Sequence, residues 1–304
     1  MEELTWGTPL FFDLWMAGMA GGAFFAALLI REFGADREGR LLKLATYIGL
    51  PLVLLGVLAL LIDLGNPIRA WHLYLGLRAS SWQIMPDQGV ATTRSFPPSL
   101  YLHPASAMSM GSWILVLWSL NAVVLIVLWI LERRGQQLWI TTLVKILGWV
   151  GFVLSALLMT YTGVVLGVSS KALWQATWLL PSLFVASASG TGVAALLLTA
   201  PWVGIKRDSA LRAPLQGALA VLIGIQIVVL VALLIWLGVA GVAAPLISGG
   251  VGILFWIGVV LGGLVLPLIL LSSTLRERVS AVAPLLVLLG GFLLRAAVVV
   301  SGQI

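Results

Sequence analysis

Apolar runs of about 20 residues, broken by short polar connections, repeat along the whole chain, and each can cross about 30 Å of hydrocarbon at 1.5 Å per residue. They predict helices at roughly Pro9–Ile30, Leu44–Ile62, Ser109–Leu131, Lys145–Leu166, Thr177–Ala200, Pro214–Gly238, Gly249–Leu271 and Ser280–Ser301. The expected fold class is an all-α integral membrane protein of about eight transmembrane helices, in one polytopic domain over residues 1–304. Most connections are short. The exception runs from Asp63 to Met108 and holds both histidines and five of the 13 prolines. No convincing internal repeat is present.

Composition removes the soluble alternative. Only 9% of residues are charged and 61% are hydrophobic, whereas a soluble domain carries about 25% charge. Without cysteine the chain has no disulfide, thiolate-ligated cluster or Cys-bound zinc of its own. Its start, Met1-Glu2-Glu3-Leu4, is acidic where a cleaved signal peptide is basic, so the first apolar run is expected to be a permanent helix. The net charge of +6 matters through its distribution. With the amino terminus outside, inward connections carry 12 Lys and Arg: Arg31, Arg37, Arg40, Lys43, Arg133, Arg134, Lys145, Lys206, Arg207, Arg212, Arg276 and Arg278. Outward connections carry four: Arg69, Arg78, Arg94 and Lys171. Both termini and the long loop at 63–108 are therefore expected on the extracytoplasmic side.

Charge in the membrane costs roughly 2.5–3.5 kcal/mol per residue even on lenient scales, so the few polar residues inside the helices call for a reason. Asp13 lies one turn into the first helix, Asp63 closes the second, Tyr161 sits near the end of the fourth, and Arg295 two turns before the end of the eighth. On the expected topology all four fall within about 10 Å of the outer surface. Each also has a bland explanation. Asp63 can cap a helix or open the turn Asp63-Leu64-Gly65-Asn66-Pro67; Asp13 and Arg295 can form a structural ion pair; Tyr161 can be a belt aromatic. Functional significance attaches to the set. His72 and His103 both lie in the long loop and none at a helix centre, which argues against a haem held between helices. His72, in Ile68-Arg69-Ala70-Trp71-His72, reads equally as a surface residue or a functional one. Gly18 with Gly22 and Gly163 with Gly167 allow close helix approach, and the 14 Trp fit interfacial anchoring.

Several segments, in order, resemble the NrfD/PsrC family of polysulfide reductase-like membrane subunits. Asp63-Leu64-Gly65-Asn66-Pro67 with Arg69 and Trp71-His72 is similar to the family's stretch after the second helix. His103-Pro104-Ala105-Ser106-Ala107-Met108-Ser109-Met110-Gly111-Ser112-Trp113 is similar to the opening of its third. Tyr161-Thr162-Gly163 matches the motif of its fourth, Pro181 through Gly192 resembles its fifth, and Gly290-Gly291-Phe292-Leu293-Leu294-Arg295 with Gly302-Gln303 its last. The resemblance implies two four-helix bundles in a prokaryotic cytoplasmic membrane. It also implies a quinone or menaquinone head group bound near the extracytoplasmic face by a subunit with no haem or iron–sulfur cluster of its own. Electrons would pass to or from a ferredoxin-like iron–sulfur subunit and a catalytic subunit, for example a molybdopterin enzyme. The tyrosine of the motif, here Tyr161, is implied as a head-group contact. The first helix has no His or Asn, and Asp13 is its available polar partner.

The chemistry of a quinol agrees with these residues. Its oxidation releases two protons with two electrons; Tyr161 can donate a hydrogen bond to the carbonyl, Asp13 can take a proton, and Arg295 can steady the ionised Asp13. Asp63, Arg69 and His72 would line an exit to the outer water. Two other classes remain open: a transporter or ion-translocating subunit, for which Pro51, Pro245 and Pro267 could break helices, and a passive membrane anchor.

Overall fold

The computed structural model describes residues 8–34, 36, 38–63, 107–132, 138–169, 171–205, 211–272 and 281–304. Eight helices among them are long and apolar enough to cross a membrane. They are α1 (Thr8–Phe33), α2 (Arg40–Asp63), α3 (Ala107–Glu132), α4 (Leu138–Gly167), α5 (Leu179–Thr199), α6 (Arg212–Val239), α7 (Gly249–Ser272) and α8 (Val282–Ser301). The described residues contain no strand. The protein is a multi-pass all-α membrane protein.

Small residues decide which helices lie at the centre. Lipid is as apolar as leucine, so membrane helices associate through close packing and small side chains. α1 and α5 are the most buried of the eight, and they meet at the backbone. A Cβ on Gly22 would lie 2.0 Å from the Ala188 carbonyl oxygen, and one on Gly192 2.1 Å from the Ala23 nitrogen. α1 also packs on α2, α4 and α8, α5 packs on α4, α6 and α8, and α7 meets α8 where Gly263 faces Gly290. By contrast α2, α6 and α7 turn most of their surface outward, as lipid-facing helices do.

Contacts between helix ends fix an alternating course. Leu14, near the start of α1, touches Arg295 near the end of α8, and Gly163 near the end of α4 touches Pro181 near the start of α5. Trp174, in a short turn at Ala172–Gln175, donates its indole N–H to the Val298 carbonyl at 2.8 Å, and Trp236 donates to Ala176 at 2.6 Å. At the opposite end Lys43 sits 5.8 Å from the Trp129 ring, and Asp36 accepts the Leu41 N–H at 2.7 Å to cap α2. Gly39, at φ 64°, makes the tight turn that this cap needs.

The helices run past several expected ends, so Arg31 lies on α1, Arg40 and Lys43 on α2 and Arg212 on α6 and not in connections, and two further differences are larger. α4 begins at Leu138, seven residues before Lys145, so Lys145 lies on the helix and not in a connection. Its side chain is exposed, and a long aliphatic stem lets the ammonium reach the headgroups from inside the span. α7 is α-helical at its ends but a π-helix over Leu254–Val265, with the Leu266 N–H bonded to the Leu261 carbonyl five residues back. Pro267 follows directly, and the wider turn relieves its ring of the carbonyl four residues before it.

Candidate functional site

The four helices α1 to α4 share two layers that can be read residue by residue. In the inner layer a Cβ on Gly49 of α2 would touch the Trp118 ring of α3 at 2.7 Å and Ala20 of α1 at 3.5 Å. Trp118 donates its indole N–H to the Ser155 hydroxyl of α4 at 2.8 Å, and its ring meets Phe24 edge-on. Trp118 is buried and closes this layer like a floor.

The outer layer lies about two turns, or 10 Å, beyond the floor. α2 and α3 run antiparallel, so seven residues outward from Gly49 and Trp118 stand Gly56 and Gly111. Seven residues outward from Ala20 on α1 stands Asp13, and six from Ser155 on α4 stands Tyr161. The contacts agree with this register. A Cβ on Gly56 would lie 2.6 Å from Asp13 Oδ1, and one on Gly111 1.8 Å from Tyr161 Cε2. Each polar side chain of the layer is thus seated on a glycine of the neighbouring helix. Tyr161 and Asp13 stand at one height, about 8–9 Å from the ends of their helices. Gly163 adds the third element of the Tyr-Thr-Gly motif by packing against Pro181, while Thr162 turns its hydroxyl back to the Met159 carbonyl.

Asp13 is fully buried. Among the described residues neither carboxylate oxygen accepts a hydrogen bond, and no ion pair forms there. An unsatisfied carboxyl in a membrane interior is costly, and such groups mark sites where a ligand or water is bound.

Arg295 differs from its expected role. The Asp13–Arg295 pair is not made. The guanidinium is completely buried on another side of α1, where Nε donates to the Leu14 carbonyl at 3.0 Å. Nη1 donates to Ser187 Oγ at 3.2 Å and to the Gly291 carbonyl at 2.9 Å, and the Phe184 ring lies 5.2 Å away. The guanidinium stands against Gly18, five residues from Asp13 and so about 140° away around the helix, which separates the two groups. Asp63 closes α2 in the backbone, but its side chain, like all of Arg69 and His72, lies outside the described residues.

Features absent from the sequence expectation also emerge. The seats Gly56 and Gly111 carry no signal beyond being glycines in apolar runs. Asn121, one turn inward of Trp118, is buried, and neither amide atom has a partner among the described residues. It interrupts the apolar run of α3 and could have been picked out for that reason. A separate cavity of about 270 Å³ lies at the junction of α4 and α5, lined by Gly167, Trp174, Gln175, Thr177, Trp178 and Pro181. It contains no charged side chain.

Fold and site together define a polytopic membrane protein that carries a buried carboxyl and a phenol in one layer near one end. Across residues 1–304 the chain matches the family described as Polysulphide reductase, NrfD. It belongs to that family, a family of reductase subunits. It is also similar to a selenate reductase subunit of Mesobacillus selenatarsenatis, 30% identical over 83 residues. That match covers 26% of this chain and 20% of the relative, so the chain matches about a fifth of the relative's length.

Proposed function

We propose that the chain is the quinone-reactive membrane subunit of a respiratory reductase complex, and that the ring binds between α1 and α4 in the layer of Asp13 and Tyr161. The observation that carries this is the fully buried Asp13 carboxyl, without a partner among the described residues, at the height of the Tyr161 phenol. A quinone ring offers two carbonyl oxygens on opposite edges, and a layer with a donor on one helix and a proton acceptor on another suits it. As the quinol is oxidised Asp13 takes the proton from one hydroxyl, and the proton of the other leaves to the outer water. Two electrons pass to the partner, and Tyr161 donates to the carbonyl oxygen formed at its edge. Trp118 closes the inner side and keeps the head group near the helix ends.

Electrons leave to an iron–sulfur partner docked at the near end of the helices, on the extracytoplasmic side by the Lys and Arg distribution. A catalytic subunit, for example a molybdopterin enzyme, completes the complex in the cytoplasmic membrane of a prokaryote. Menaquinone is the natural candidate substrate, and Asp63, Arg69 and His72 supply the route from Asp13 to the outer water. The family match and the likeness to a selenate reductase subunit support the reductase context. The packing of α1 with α4 and of α5 with α8 is compatible with two four-helix bundles.

In membranes that carry the whole complex, Asp13→Asn and Tyr161→Phe are each expected to lower quinol-dependent turnover by about tenfold or more while the complex stays assembled. Near-normal turnover in both would sink the assignment.

A further inference from the structure

We infer that Arg295 is a positioning residue for the Asp13–Tyr161 layer, acting through α1 and not by touching the bound ring; this rests on the function proposed above.

Four observations lead there. Arg295 is completely buried in the membrane, and no carboxylate among the described residues pairs with it. A charge held this way is costly, so it persists only where its contacts matter to the surrounding structure. Its hydrogen bonds go to three helices at one height: the Leu14 carbonyl of α1, the Ser187 hydroxyl of α5 and the Gly291 carbonyl of its own α8. The Phe184 face backs the guanidinium at 5.2 Å. The remaining nitrogen, Nη2, has no partner among the described residues and stands against Gly18, where a Cβ would come within 2.8 Å. That spacing leaves no room for a ligand between Arg295 and α1.

Direction decides between contact and support. Asp13 and Gly18 are five residues apart, which places them about 140° apart around the helix. Asp13 faces Gly56 of α2, and the face bearing Gly18 meets Arg295 and Ala188. Arg295 therefore reaches α1 from behind the site. The Leu14 carbonyl lies within α1, so the bond from Arg295 adds a directional polar tie beside the packing of Phe11, Phe12 and Trp15 on Phe292 of α8 and the small-residue contact with α5. Gly18, Gly22 and Ala188 permit α1 to sit close to α5 but offer little that resists a small slide or rotation. Across the α1–α5 seam the guanidinium supplies that resistance by holding the Leu14 carbonyl and Ser187 at once, and the side chain it aims is the neighbour of Leu14, Asp13.

The test is a double-mutant cycle on the purified full chain. Arg295→Gln and Arg295→Lys are made in wild-type and Asp13→Asn backgrounds, and menadione and 2-heptyl-4-hydroxyquinoline N-oxide are titrated as probes. Arg295→Gln is expected to weaken binding about tenfold in the wild type and less than about twofold in Asp13→Asn, where nothing remains to be aimed. Arg295→Lys should recover part of the loss, because an ammonium reaches fewer of the three acceptors. Equal losses in both backgrounds would overturn the inference and leave the proposed function standing. No loss from Asp13→Asn itself would overturn both. If Arg295→Gln does not fold, Ser187→Ala, which removes one acceptor only, must show the same dependence on background, and its failure to do so equally overturns the inference.

Discussion

A methyl group added at Gly111 is the most informative small perturbation of the site. The new carbon would lie 1.8, 2.1 and 2.4 Å from Cε2, Cζ and Cδ2 of the Tyr161 ring. Non-bonded carbons settle at about 3.5–4 Å, so the ring has to retreat by about 1.7 Å or more. The phenol sits half-buried between α3 and α4, and the α3 backbone is held by Trp118 two turns further in. The ring therefore yields before the helix does. A hydrogen bond does not survive a shift of that size, and misplacement of about 1 Å at a reacting centre costs up to about 100-fold in rate. Gly111→Ala should lower quinol-dependent turnover by about 10- to 100-fold, close to the effect of Tyr161→Phe. The overpacking should also cost about 1–3 kcal/mol of stability, seen as a lower thermal midpoint of the purified chain. Combining Gly111→Ala with Tyr161→Ala gives the methyl free space, so the stability cost should largely vanish in that background. Turnover of a folded Gly111→Ala chain within about twofold of wild type would refute the seating of Tyr161 on this glycine.

Four further outcomes follow from the packing. Gly22→Ala drives a methyl into the Ala188 carbonyl at 2.0 Å, a backbone atom that cannot step aside, and should destabilise by about 3 kcal/mol or more. Gly217→Ala and Gly224→Ala on α6 meet nothing within 4 Å and should be neutral or stabilising by about 0.5–1 kcal/mol, both read from thermal midpoints. Trp174→Phe removes the N–H bonded to Val298 and should cost about 1–2 kcal/mol, measured the same way. Asp36→Ala uncaps α2 at Arg40 and Leu41 and should cost about 1 kcal/mol, with faster hydrogen exchange confined to the first turn of that helix.

Position along the helix bundle was legible from the sequence, whereas direction around each helix was not. Apolar run length sets a span whatever the neighbours are, which is why eight helices and the height of Asp13, Tyr161 and Arg295 follow from counting residues. The side on which a group emerges depends on which helix lies beside it. Asp13 and Arg295 share a height and opposite charge, and a pair between them was the natural expectation; the structure puts α1 between them. Lys145 shows the same limit at a boundary, since a charged residue ends an apolar run on paper while its flexible stem lets the helix continue. The glycine seats at 56 and 111 acquire meaning only once Asp13 and Tyr161 are placed against them. Asn121 was readable as a polar break in α3, but its lack of a partner among the described residues is a property of the packed helices alone.

The most direct test of a quinone site in the Asp13–Tyr161 layer is photolabelling of the purified full chain with a short-tailed azidoquinone, followed by peptide mapping. Such a site predicts labels on the first turns of α1 and the last turns of α4, around Asp13 and Tyr161, that disappear when unmodified quinone is added in excess. Saturable labelling confined to α6 or α7, or labelling that excess quinone does not displace, would contradict it.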